Sequence, residues 1–220
     1  MPAVAAQPAL IRYVDDFYPD GAAVRTLALN SEFYQPPNLY GFRTRRAFLP
    51  DGTVERIGAQ FGFDRITLRN VPTRTGHFYT SLARGRERVR FFAHYDAVHR
   101  AARPSYAMLV YLTPDAPKTA GTGVYRHRTT GIWRGQTAAD CKRLGLTRAK
   151  LDELLDADSQ NRRRWELLDR VDNVFNRAVL FPAHWYHSST QEFGSRADNG
   201  KLYHAFFFEA WPDVFAGVAP

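Results

Sequence analysis

The sequence is poor in cysteine and has no long apolar run. A single cysteine, Cys141, among 220 residues excludes an intramolecular disulfide and suits a reducing cytosol. No stretch approaches the roughly 20 apolar residues of a membrane-spanning helix. The N-terminus also lacks the basic and apolar regions of a secretory signal peptide. From these absences we predict a soluble, cytoplasmic protein without a membrane partner.

Positively charged residues outnumber negatively charged ones in the sequence. The formal net charge is +8, with 45% hydrophobic and 24% charged residues, which is an ordinary globular balance. Such a charge attracts nucleic acids or anionic small molecules. The arginines are scattered, however, and the dense runs at 84–90 and 162–164 accompany no zinc-finger or RNA-binding signature. We therefore expect a solvated basic surface rather than a nucleic-acid partner.

Residue periodicity divides the chain into segments of one domain spanning 1–220. Residues 1–65 are predicted to be an N-terminal helical support. Residues 66–135 and 173–211 form short β-branched and aromatic runs separated by turn residues, as in a sandwich or barrel. Apolar residues return to helical spacing in 136–172, which predicts a helical insertion that serves as a lid or a homodimer contact. The fold class is thus α+β and mainly β.

Two N-terminal helices are predicted with an ordered loop between them. The run DGAAVRTLALNSEF begins with Asp20, a suitable N-cap, and a second short helix is expected over Val54–Phe61. Residues 34–50 contain three prolines and many aromatic residues. This composition predicts an ordered loop rather than a helix or a strand.

The motif HYD occupies residues 94–96, at the end of a strand-like run. Side chains at positions i and i+2 of a strand point to the same face, so His94 and Asp96 are expected to converge on one point. The H-x-D pattern is common by chance, so it is informative only together with further ligands.

A second histidine motif, FPAHWYH, occupies residues 181–187 after the apolar run AVLF. Either His184 or His187 can supply a second imidazole from this turn. Two histidines and one carboxylate form the facial triad of non-haem iron(II) enzymes. Such a triad leaves three metal positions open for a bidentate cosubstrate and dioxygen.

Several short motifs occur together in a fixed order. They are HYD at 94–96, YLT at 111–113, AGTG at 120–123, FP at 181–182, His187, and Lys201 before LYHAFFFE. This ordered set resembles the iron(II)/2-oxoglutarate-dependent oxygenases, with the prolyl hydroxylase-like branch closest. The resemblance covers residues from about 76 to 211 and implies a double-stranded β-helix of the jelly-roll or cupin-like kind.

The resemblance also implies a reaction and a metal site. The reaction is the hydroxylation or related oxidation of a C–H bond with Fe(II), 2-oxoglutarate as cosubstrate and O2. The motif positions assign His94, Asp96 and His187 as the catalytic metal ligands, and the family pattern favours His187 over His184.

The resemblance implies residues for the cosubstrate as well. Lys201 takes the place of the basic residue that binds the distal carboxylate of 2-oxoglutarate, and Tyr111 takes the place of the tyrosine that assists it. Lys201 lies 14 residues after His187, further than is usual in that family. Arg196 is therefore a rival for the same role.

The strand-like run VYRHRTTGIW supplies candidate substrate-binding residues. Arg126 and Arg128 would share one strand face, and Trp133 lies just beyond them. Guanidinium pairs match carboxylates. We therefore expect a carboxylate-bearing substrate such as an amino acid or a natural-product intermediate.

Other classes of function stay open from the sequence. One is a nucleic-acid or protein side-chain oxygenase of the same superfamily. A second is a non-catalytic binding module on a jelly-roll barrel, against which an intact triad speaks. A third is a local metal site made of His94, Asp96 and His99, as in a zinc hydrolase, for which no general base is evident.

Overall fold

The computed structural model describes residues 9–37, 41–69, 74–83, 91–97 and 102–219. The strands in these ranges are β1 Arg12–Val14, β2 Phe33–Tyr34, β3 Phe42–Thr44, β4 Arg65–Leu68, β5 His77–Ser81, β6 Ser105–Tyr111, β7 Thr122–His127, β8 Trp165–Val171, β9 Ala178–Pro182, β10 His187–Ser189 and β11 Lys201–Trp211. The helices are α1 Gly21–Leu29, α2 Thr53–Phe61, α3 Ala138–Leu144 and α4 Arg148–Asp158, with a 3-10 turn at Arg162–Arg164.

The strands form two antiparallel sheets. The large sheet has the order β1-β9-β6-β11-β5-β3-β2, with β4 also paired to β11, and the small sheet has the order β10-β7-β8. A bridge between His94 and His187 extends the small sheet by one short segment. From β5 onward the chain alternates between the two sheets. The large sheet contains β5, β6, β9 and β11, and between them the chain enters the small sheet at His94, then as β7 and β8, and then as β10. This alternation is a double-stranded β-helix, which confirms the predicted fold class.

The two faces of the large sheet have different neighbours. Along β11, Leu202, Phe206 and Phe208 pack in the main core, which also contains Ile57 of α2 and Ala28 of α1. The N-terminal helices therefore cover the outer face of this sheet. The intervening side chains of β11 point to the other face because successive strand residues alternate. That inner face is directed at the small sheet.

The two N-terminal helices are confirmed, and their ends have local causes. The Asp20 side chain accepts a hydrogen bond of 2.8 Å from the backbone N–H of Ala23, as an N-cap does. Helix α2 ends at Gly62, whose φ of 81° is a left-handed conformation that glycine adopts readily. None of the helices in the described ranges has the length and hydropathy needed to cross a membrane.

The expected loop at 34–50 is partly wrong. It contains β3, which pairs with β5 at the edge of the large sheet, and its first residue, Tyr34, ends β2. These strands are only two and three residues long, and sheet pairing rather than local sequence pattern holds them.

The expected helical insertion at 136–172 is correct only in its first part. Helices α3 and α4 are present, but Trp165–Val171 is strand β8, paired along its whole length with β7. The run WELLDRV is compatible with helical spacing, yet pairing with β7 and burial of Trp165 favour the strand. Removing 136–172 would therefore remove one strand of the small sheet.

Helices α3 and α4 cover the outer face of the small sheet. Leu151 and Leu155 of α4 are buried against Tyr125 of β7, Trp165 of β8 and Tyr186. The same cluster includes residues on either side of His94 and contacts the segment that carries the HYD motif. The helices thus support that segment from outside, whereas a lid or dimer-contact role for them stays a prediction.

His127 on β7 connects the small sheet to α4. Its buried ring hydrogen-bonds Asp158 at 3.0 Å and Thr130 at 2.9 Å, and it packs on Trp165 at 5.0 Å between ring centroids. We expect His127→Ala to lower the free energy of unfolding by about 2–4 kcal/mol, since it leaves a cavity and unpaired polar groups. Chemical denaturation measures this, with the exposed Arg128→Ala as control. A loss below about 1 kcal/mol would contradict it.

Candidate metal centre

Backbone pairing fixes the segment that carries His94 and Asp96. The N–H of His94 donates to the carbonyl of His187 at 3.1 Å, and the reverse bond is 2.8 Å. The N–H of Asp96 donates to the carbonyl of Ala183 at 2.7 Å. The HYD motif is thereby attached to both β10 and the end of β9.

The structure brings His94, Asp96 and His187 together on the inner side of the barrel. One candidate ligand atom from each lies within 4.8 Å of the others. Nε2 of His187 is 3.3 Å from Oδ2 of Asp96, and the two imidazole centroids are 4.4 Å apart. Among the described residues, this is the one cluster of three or more His, Cys, Asp or Glu side chains with such spacing.

The outer nitrogen of each imidazole is held by a backbone carbonyl. Nδ1 of His94 bonds the carbonyl of Phe92 at 3.0 Å, and Nδ1 of His187 bonds the carbonyl of Trp185 at 2.9 Å. A carbonyl only accepts, so each Nδ1 carries the proton and each neutral ring has its lone pair on Nε2. Metal-binding histidines are oriented in this way, so the donor set fits a divalent metal.

The ionisation states also suit a metal. Burial away from water lowers the pKa of His94 to about 4, and the neighbouring His187 makes a smaller contribution in the same direction. The imidazole of His94 is therefore neutral at neutral pH. Burial acts to raise the pKa of Asp96, but its side-chain contact with His187, with smaller effects of His94 and Arg74, holds that pKa below its ordinary value. Neutral imidazole and ionised carboxylate are the forms that bind metals.

The other candidate histidines are placed differently. His184 lines a separate cavity of about 240 Å³ with Trp133 and Trp185. His99 lies outside the described residues. His204 is buried, with its Nδ1 at 2.7 Å from the hydroxyl of Tyr18, on the outer side of the large sheet.

Lys201 and Tyr111 lie together on the inner face of the large sheet. Nζ of Lys201 donates to the carbonyl of Gly121 at 2.6 Å and to Oγ of Ser189 at 2.7 Å, and lies 5.6 Å from the Tyr111 ring centroid. The Tyr111 hydroxyl is 2.6 Å from Oγ1 of Thr122. Ser189 follows His187 by two residues of β10, which corresponds to roughly 7 Å along the strand. Lys201, which bonds Ser189, therefore contacts the small sheet about that distance from the triad histidine.

The two rival basic residues have opposite surroundings. Lys201 is 2% exposed, and burial lowers its pKa to about 8, with a partly opposing effect of Glu192. The Arg196 side chain is 71% exposed and pairs with Asp198 at 3.0 Å. Only Lys201 of this pair reaches the barrel interior.

The substrate-binding candidates lie in different surroundings, and only Arg126 is part of β7, so the expected strand face shared with Arg128 is wrong. The guanidinium of Arg126 pairs with Glu166 on β8 at 2.9 Å. Arg128 is exposed at the end of the strand. Trp133 packs edge-on against Trp185 at 5.2 Å in the cavity that also contains His184. Their role in substrate binding stays a prediction.

Sequence reasoning missed two features beside the triad. The guanidinium of Arg74 bonds Oδ1 of Asp96 and lies over the ring of Phe207, 4.2 Å from its centroid. A cavity of about 320 Å³ opens beside Asp96, with Ala97 and Ala183 in its walls. No local pattern marks Arg74, because its partner Asp96 comes 22 residues later.

A family model described as a family of unknown function, DUF6445, matches residues 3–208. The chain belongs to the DUF6445 family. No curated protein matches this DUF6445 chain.

Solved structures resemble the DUF6445 chain at low identity. HygX from Streptomyces hygroscopicus, with nickel and 2-oxoglutarate bound, has 11% identity and a TM-score of 0.48 over 91% of this chain and 83% of its own. A Pseudomonas putida prolyl-4-hydroxylase has 12% identity and a TM-score of 0.40 over 92% and 93%. AviO1 from Streptomyces viridochromogenes Tue57 has 9% identity and a TM-score of 0.47 over 96% and 92%.

Proposed function

We propose that this DUF6445 protein is an iron(II)/2-oxoglutarate-dependent oxygenase that oxidises a C–H bond of a small, carboxylate-bearing substrate. The observation that carries the proposal is the cluster of His94, Asp96 and His187, with both imidazoles oriented by backbone carbonyls inside a double-stranded β-helix. Two histidines and one carboxylate suit iron(II) and leave positions for further ligands.

Each part of the site has a role in this proposal. His94, Asp96 and His187 would hold the metal. Iron and 2-oxoglutarate, when bound, supply the activation of dioxygen that oxidises the substrate. The residues of the chain bind and orient these groups and keep them in a barrel interior with little bulk water.

Lys201 would bind the distal carboxylate of 2-oxoglutarate, assisted by Tyr111. An ammonium group has three protons, and two of them are donated to Gly121 and Ser189 within the described residues. The third proton is thus suited to a carboxylate oxygen. A buried cation near the Tyr111 ring favours an anionic ligand at this end of the barrel.

The lowered pKa of Lys201 predicts how cosubstrate affinity depends on pH. Lysine is cationic below its pKa, so the charge is lost as pH rises through about 8. We expect the dissociation constant of 2-oxoglutarate to be nearly flat below pH 7 and to rise about tenfold per pH unit above pH 8. Calorimetry on zinc-loaded protein measures this. This dependence on pH should vanish in Lys201→Met and persist in Tyr111→Phe. An equal dependence in the unmodified protein and both variants would contradict the assignment of Lys201 to the cosubstrate.

Iron-dependent formation of succinate from 2-oxoglutarate tests the proposed activity. The iron-loaded protein should form succinate slowly even without substrate, and a chelator or Asp96→Ala should stop this. A non-catalytic binding module would bind metal and form no succinate under any condition. That result would contradict the proposed function.

A further inference from the structure

The cavity beside Asp96 has the size of a small-molecule site. Its volume of about 320 Å³ is near the lower end of the roughly 300–1,000 Å³ found for such sites. A water molecule occupies about 30 Å³ of liquid, so about ten non-hydrogen atoms fit. Ala97, Ala183 and Phe207 give the cavity an apolar wall next to the carboxylate of the triad. A compact molecule lying there would be next to Asp96, the one residue of the candidate metal centre that lines the cavity.

The opposite part of the cavity is basic. Arg69 and Arg103 line it together with a single further carboxylate, that of Glu209. Asp96 also carries a negative charge, but in the proposed enzyme this charge faces the metal. Two guanidiniums against one carboxylate leave an excess of positive charge, which favours an anionic ligand.

Arg69 is held in place at the cavity by its partners, whereas Arg103 is an exposed residue of the cavity wall. Arg69 donates to Glu209 at 2.5 Å, with the glutamate side chain 10% exposed, and its backbone N–H donates to the carbonyl of Phe207 at 2.7 Å. Arg103 precedes β6, and its carbonyl accepts a 3.2 Å bond from Ser105, another residue of the cavity wall. In the part of the chain that the structure describes, Arg103 has no carboxylate partner within ion-pair distance.

We propose that this cavity binds a small carboxylate of amino-acid size, with its carboxylate on Arg103 and Arg69. Glu209 positions Arg69, and Phe207 packs against the rest of the molecule, which extends toward the triad. The inference rests on the proposed oxygenase function and names its substrate class. It places the substrate carboxylate at this cavity and not at Arg126 and Arg128.

Ligand-observed NMR on the zinc-loaded protein tests the inference with and without 2-oxoglutarate. The probes are an equimolar mixture of the twenty protein amino acids and a matched mixture of their carboxamides. We expect at least one amino acid to bind and its carboxamide to bind at least about tenfold more weakly, since charge-assisted hydrogen bonds are lost. Arg103→Gln should weaken the bound amino acid to a similar extent, and Arg148→Gln, an exposed arginine of α4, should not.

Three results would overturn the inference. They are the absence of binding by every amino acid, equal binding of acid and carboxamide, and weakening by Arg126→Gln but not by Arg103→Gln. Succinate formation is measured separately, so the two proposals can fail independently. Succinate without amino-acid binding contradicts this inference alone, whereas amino-acid binding without succinate contradicts the oxygenase function.

Discussion

His187→Ala is expected to lower the affinity for iron(II) by more than about a hundredfold and to abolish succinate formation. The histidine supplies one of three ligand atoms in the cluster, and its Nε2 already lies 3.3 Å from Asp96. Removing even an outer partner of a metal ligand costs roughly 10–100-fold, so removing a ligand costs more. Anaerobic titration with iron(II), followed by metal analysis after desalting, measures the loss.

His184→Ala is the matched control, three residues earlier on the same turn. Its ring lies against Trp185 in the separate cavity, 6.2 Å between centroids. Iron affinity should stay within about threefold of the unmodified protein. Loss of iron in His184→Ala with retention in His187→Ala would reverse the ligand assignment.

Lys201→Met should weaken 2-oxoglutarate binding by at least about a hundredfold and leave iron affinity nearly unchanged. Removing one partner of a buried charge pair costs roughly 3–5 kcal/mol. Methionine keeps a long side chain in the buried space, so the loss reports the ammonium group rather than a cavity. Calorimetric titration of 2-oxoglutarate into zinc-loaded protein gives the value.

Two control variants define the expected pattern for the cosubstrate. Tyr111→Phe removes one hydroxyl and should weaken 2-oxoglutarate by about tenfold, the value of a single hydrogen bond to a charged group. Arg196→Gln alters the exposed rival and should have no effect. If Arg196→Gln weakens 2-oxoglutarate and Lys201→Met does not, Lys201 does not bind the cosubstrate.

The sequence allowed the barrel and the inner faces of its strands to be predicted. Strand periodicity places His94 and Asp96 on one face, an arrangement that depends only on neighbouring residues. Lys201 was assigned from the family resemblance and not from periodicity. The motifs also occur in a fixed order, which is information that a single sequence contains in full.

Features that depend on distant pairing were not predictable. Strand β8 was expected to be helical because WELLDRV satisfies a helical spacing, and only its pairing with β7 decides otherwise. The ion pair of Arg69 with Glu209 joins residues 140 positions apart. The basic cavity forms only when β4, β6 and β11 come together, so no stretch of the sequence indicates it.

The structure of crystals grown anaerobically with iron(II) and 2-oxoglutarate would show the metal and cosubstrate sites. We expect one iron within about 2.0–2.3 Å of Nε2 of His94, Nε2 of His187 and a carboxylate oxygen of Asp96, by analogy with zinc distances. We also expect the distal carboxylate of 2-oxoglutarate at Nζ of Lys201. Iron bound at His184, or 2-oxoglutarate held at Arg196 outside the barrel, would contradict these expectations.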